Sequence, residues 1–265
     1  MASSLSMPKA GFAWDAVSAE TVLYIESANV AGVTTSAQWA VRHFEDKIQD
    51  ANVTRVVARI PCDRLELPLA DWQRTTTYVR WKGDDQPYGP DAPLASTKHQ
   101  VQTCRSRSAH DDLLVERWLA RAIKDGTRLA LGRTVLDDRV TEYVDAWMSD
   151  PRRISYVALC DECRSTVGHA TLLSPCPNDG QSSTPFMELV DLLVEDGPCA
   201  STARRALTRE AIVAANNRKQ DLVGNVTHLP GEGTGRSGAR TILDRLIESG
   251  WIPLYALLQR DISSF

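Results

Sequence analysis

The stretch Glu188–Ile212, ELVDLLVEDGPCASTARRALTREAI, constrains the fold of this chain more than any other. Its first part continues the near-unbroken apolar run FMELVDLLV, the pattern of a strand covered on both faces. Beyond a short turn, Ala203, Ala206, Leu207, Ala211 and Ala214 share one side of a helix, with Arg205, Arg209 and Asn216 on another. A buried strand running through a turn into a helix presents the helix's unpaired N–H groups and positive dipole end to a ligand, an arrangement that favours phosphate. The turn itself, EDGPCAST, holds a single glycine, and its proline removes one N–H donor.

The same grammar of strands and helices continues on both sides. A helix is expected over Ser36–Asp50, a strand over Thr54–Pro61, a short helix over Cys62–Gln73 and a strand over Thr75–Lys82. Gly83–His99, rich in Pro, Gly and Asp without periodicity, reads as a linker. Amphipathic helices follow at Ala109–Asp125 and in DDRVTEYVDAWMSDP, and Ile154–Leu173 reads as a hairpin. After the opening stretch come a strand (DLVGNVTH), a glycine-rich loop, a helix (ARTILDRLIES) and a closing strand (WIPLYALLQRD). Arg55–Lys82 and Leu222–Arg260 echo one another: each is strand, helix, a Trp past the helix end, then a strand with Tyr and Arg.

The order of hairpin, buried strand, helix, strand, helix and last strand, with GHATL on the hairpin and ELVDLLV next, resembles the GCN5-related N-acetyltransferase (GNAT) superfamily. The resemblance runs over about 154–262, extends to the helices from Ala109 onward, and makes Ser36–Lys82 look like the end of a second, truncated unit. It implies an α/β (α+β) fold, a mixed sheet flanked by helices, divided as a partial N-terminal unit (1–82), a linker (83–98) and a C-terminal domain (99–265). It also implies a notch between the buried strand and the next, holding acetyl-CoA or another acyl-CoA, which serves an N-acyltransferase acting on a small-molecule amine.

Carried residue by residue, the resemblance assigns proton removal to Glu188 or Asp191 on the buried strand, with His169 as a further candidate base. It places the donor against Leu193, Val194 and Ala203, with Arg204, Arg205 and Arg209 as cations for its phosphates. The family's glycine-rich turn corresponds here to PCASTARR, which has no Gly-x-Gly. The family's Tyr acid falls near Leu246, leaving Tyr255 as a substitute. Two other readings stay open: an aminoacyl-tRNA donor, as in Fem-like transferases, and a non-catalytic ligand- or partner-binding protein.

Other features exclude more than they assign. The net charge of −4 carries no broad basic excess for nucleic acid. No apolar run is long enough for a membrane span and no signal peptide is evident, so a cytoplasmic protein with reduced thiols is expected. GTGRSG at Gly233–Gly238 matches a dinucleotide fingerprint, but no second βαβ half follows it. Cys160 and Cys163, with His169 and Cys176, have zinc-like character, but they fall in a hairpin turn without a second spaced ligand pair, so no metal is expected.

Overall fold

A computed structural model describes residues 9–15, 20–26, 32–62, 71–81, 100–132, 135–175, 186–228 and 238–265. The chain begins with β1 (Lys9–Asp15), β2 (Glu20–Glu26), α1 (Val33–His43), α2 (Glu45–Asp50), β3 (Arg55–Pro61) and β4 (Gln73–Trp81). It continues through β5 (Val101–Arg105), α3 (Ala109–Leu131), α4 (Asp137–Ser149), β6 (Arg153–Cys160) and β7 (Ser165–Leu173). It ends with β8 (Phe186–Val194), α5 (Ala200–Asn217), β9 (Asp221–Thr227), α6 (Gly238–Glu248), β10 (Ile252–Asp261) and a 3-10 turn at Ile262–Ser264. The linker expected over 83–98, Cys176, residues 233–237 of the glycine-rich loop, and most of the short helix expected over 62–73 lie outside the described residues.

The ten strands form one mixed sheet in the order β1-β2-β3-β10-β4-β9-β8-β7-β6-β5. Its centre explains the echo in the sequence. Each half carries a parallel pair, β2 with β3 and β8 with β9, and each half's closing strand crosses into the other. β10 lies between β3 and β4, while β4 pairs with both β10 and β9. The two echoed tyrosines therefore meet: Tyr78 is paired with Tyr255, and their rings stack 4.4 Å apart.

Strand alternation assigns the faces. On one face Ala256 and Leu258 of β10 bury against Ala37 and Ala40 of α1, and Val79, Trp81, Met187 and Leu222 bury against Ala211 and Ala215 of α5 and Leu243 of α6. The opposite face is covered over β6 to β8 by α3 and α4, where Val115, Leu119, Val140 and Val144 meet Val157. Ser108 starts α3 by accepting from Asp111 N at 3.1 Å, and Gly132, at φ 64, ends it in the left-handed conformation. The single helix expected over Ser36–Asp50 is instead two, broken at Phe44 (φ −111°). Leaving the helical path lets the Phe44 ring pack edge-on against Phe12, 5.4 Å away.

Candidate active site

β8 and β9 are paired only where Phe186–Glu188 face Asp221–Val223. Past that point β8 stays with β7 as far as Val194, and β9 stays with β4 as far as Thr227. The strands therefore part at Leu189 and Gly224 and open a notch. The corresponding pair in the other half, β2 and β3, remains in register from Leu23–Val56 to Glu26–Arg59, which is the end of β2.

A β-bulge sits beside the parting point. Thr171 pairs with Asp191, but Leu172 pairs with Leu189, so Val190 is an extra residue. The bulge sends Val190 and Asp191 to the same face: Val190 packs with the α3–α4 core, and Asp191 reaches His169. Past the bulge, Glu195 N donates to Val167 O at 2.8 Å, so strand alternation turns the backbone of Leu193 toward β7 and that of Val194 toward the notch.

The chain then turns through Gly197 and Pro198 into α5. Its N-cap, Cys199, offers no side-chain hydrogen bond to the helix start. Ala200 N donates to Gly197 O at 3.1 Å and Ala203 N to Cys199 O at 2.9 Å. Ala203 is buried against the sheet with Leu207, while Arg204 and Arg205 are exposed on the outer side and Arg209 is half-buried.

Glu188, the last β8 residue paired with β9, lies on the α3–α4 face. Burial raises its carboxyl above the usual range, partly offset by the positive charge of Arg152. Three phenols feel its charge: Tyr78 of β4, Tyr255 of β10 and Tyr143 of α4 are all raised, first by burial and then in part by Glu188. They come from chain positions far apart; of the three only Tyr255 stands out in the sequence, and the internal echo is the one sign of its pairing with Tyr78. Arg59 lies over the Tyr255 ring, 4.0 Å from its centre, and Asn225 and Thr227 of β9 are exposed on this face.

The other predicted bases are placed differently. His169 is fully buried and stacks on Trp118 with ring centres 5.4 Å apart. Its Nε2 bonds Asp191 Oδ2 at 2.9 Å and its Nδ1 bonds Thr171 Oγ1 at 3.1 Å, while Thr171 also bonds Ser155 at 3.0 Å. Both ring nitrogens and one Asp191 oxygen are thus occupied, and the pair holds the bulge in place. Trp118 continues the frame by donating to Glu195 Oε1 at 2.7 Å, which Arg121 also binds. That network holds the Glu195 carboxyl below its usual range. Leu246 packs beside the α5–α6 core. Trp251 is buried in that core, where Leu189 and Trp251 back Gly224 at the apex of the notch.

Cys160 and Cys199, expected as free thiols, are joined as a disulfide, and the exposed Cys163 sulfur lies 3.9 Å from that of Cys199. Among the described residues, no helix is long and apolar enough to cross a membrane.

No protein-family model matches the sequence, and a search of curated proteins finds no match. Solved structures do match. A GCN5-related N-acetyltransferase from Sphaerobacter thermophilus aligns with 97% of this chain and 77% of its own at 14% identity, with a TM-score of 0.51. A tandem GNAT protein from the clavulanic acid biosynthesis pathway aligns with 91% of this chain and 75% of its own at 11% identity, with a TM-score of 0.49. A conserved protein of unknown function from Staphylococcus epidermidis aligns over 92% and 86% at 9% identity, with a TM-score of 0.48. The first of these matches spans nearly the whole chain, and the chain has the fold of the GCN5-related N-acetyltransferases.

Proposed function

We propose that this chain is an N-acyltransferase that moves an acyl group from an acyl-CoA to the amine of a small molecule. The single observation that carries the reading is the loss of β8–β9 pairing directly after Glu188 and Val223, with the uncapped start of α5 following. Among the described residues no strand pairs with β8 on the notch side of Val194, an edge that suits the amides of a pantetheine arm, and the N–H groups at the start of α5 suit a diphosphate. Arg204, Arg205 and Arg209 would add cations on the outer side of that helix. Pro198 removes a donor from the turn, so the phosphate grip rests on the helix start and these arginines rather than on a glycine loop.

In this reading Glu188 takes the proton of the attacking amine. Its raised carboxyl brings its basicity nearer to working pH. The phenols of Tyr78, Tyr143 and Tyr255 stay protonated, since all are raised, and supply donors for the departing thiolate. The acceptor approaches over β9, where Asn225 and Thr227 are exposed beside Glu188's face of the sheet. His169 and Asp191 position the bulged strand. An aminoacyl-tRNA donor draws no specific support from this geometry.

Thermal-shift and kinetic assays with acetyl-CoA, longer acyl-CoAs and a panel of amines test the reading. Stabilisation by one acyl-CoA, with turnover that Glu188→Gln lowers by about 10²–10⁴-fold, is expected. Full turnover by Glu188→Gln would remove Glu188 as the base, and no acyl-CoA response would remove the donor.

A further inference from the structure

The cysteines of the hairpin turn find a partner that their spacing does not reveal. Cys160 ends β6 and Cys163 lies in the β6–β7 turn, and the start of α5 brings Cys199 to them. The three sulfurs lie within 4.8 Å of one another. A disulfide accounts for two of them and leaves the third unexplained. In a tetrahedral zinc–thiolate site, Zn–S bonds of about 2.3 Å set neighbouring sulfurs about 3.8 Å apart. The Cys163–Cys199 separation, 3.9 Å, has that value.

The surroundings fit the same chemistry. Cys199 is the N-cap residue of α5, where the helix's positive end favours a thiolate. Cys160 and Cys199 are buried and Cys163 is exposed, so the cluster has a rigid base and an open side. We infer that in the reduced chain Cys160, Cys163 and Cys199 bind one Zn²⁺ as three thiolates, with the fourth position open on the side of Cys163. The route is balanced by a small-molecule thiol reductant. One thiolate attacks the Cys160–Cys199 bond to form a mixed disulfide, a second resolves it, and two reductant thiols leave as their own disulfide while their protons pass to Cys160 and Cys199; zinc then displaces the three thiol protons. The site ties the β6–β7 turn to the start of α5, so metal loading also stiffens the helix start.

The test uses the full chain, reduced with a thiol, incubated with zinc and freed of excess metal. Metal is counted by mass spectrometry of the native protein, and replacement by Co²⁺ is followed by thiolate-to-cobalt charge-transfer absorption. The expected result is about one zinc per chain and a sulfur-ligated cobalt spectrum. Cys163→Ala, at an exposed turn position, should fold normally and bind zinc at least about tenfold more weakly, whereas Cys104→Ala, on the β5 edge strand, should bind as the parent does. The inference is overturned if the reduced chain holds no stoichiometric zinc, or if Cys163→Ala retains it at parental affinity. Neither readout depends on acyl transfer.

Discussion

Gly168 has no room for a methyl group, and the consequence reaches the notch. It stands on β7 opposite Val194. A Cβ built there would lie 2.6 Å from Leu193 O, 2.9 Å from Val194 Cγ2 and 3.0 Å from Val194 Cα. The nearest obstacle is backbone oxygen, which cannot rotate away, so Gly168→Ala must push the end of β8 off β7. Overpacking of this kind costs about 1–3 kcal/mol, or roughly 3–9 °C in Tm at about 3 °C per kcal/mol for a chain of this size. Gly11 on β1 and Gly126 in α3 have nothing within 4 Å of an added Cβ and serve as controls. Alanine at either should be neutral or stabilise by up to about 1 kcal/mol. Urea denaturation of the three variants measures the difference. Because the backbone of Val194 borders the notch, Gly168→Ala should also weaken acyl-CoA binding, while both controls leave it unchanged. A Gly168→Ala protein as stable as the parent would refute the packing of β8 on β7 on which the site depends.

Three further outcomes follow from named contacts. Glu188 keeps its proton to higher pH in the folded chain than in the unfolded one, where a Glu titrates at about 4.3, so its contribution to stability falls as pH rises from there through the raised folded value. Glu188→Gln should therefore be more stable than the parent at neutral pH by denaturant titration, with the gap closing in acid, while turnover drops by about 10²–10⁴-fold and loses its rising acid limb. Arg55, with its side chain 6% exposed, is ion-paired to Asp15 and Glu20, and Arg55→Ala should cost about 3–5 kcal/mol by urea unfolding because the buried guanidinium no longer offsets the two carboxylates. Leu207, fully buried between α5 and the sheet, should cost about 2–5 kcal/mol as Leu207→Ala in the same assay.

Local pattern made much of this fold legible. The apolar run at β8, the alanine-faced α5 and the hairpin of β6 and β7 each announce themselves within a short window, because burial imposes its period on neighbouring residues. The β1–β2 hairpin was not expected from its sequence, since Lys9–Asp15 mixes Ala, Gly and aromatics without clean alternation, and β5 is a short edge strand. The exchange that sets β10 between β3 and β4 joins residues about 180 positions apart, as in Tyr78 and Tyr255, and only the internal echo hinted at it. The bulge at Val190 adds no compositional signature, yet it decides that Asp191 meets His169 instead of the opposite face. The third cysteine of the β6–β7 cluster was likewise hidden in the turn before α5, where its neighbours read as part of a phosphate site.

The most direct test of the notch as the donor site is calorimetric titration of acetyl-CoA into the full chain and into Val194→Pro. Proline there removes the notch-facing N–H without breaking a β7–β8 ladder bond. Saturable binding at about one acetyl-CoA per chain is expected, lost in a Val194→Pro protein that remains folded by circular dichroism. No saturable binding to the parent, or equal binding by both, would contradict the claim that the parted β8 and β9 strands hold the acyl donor.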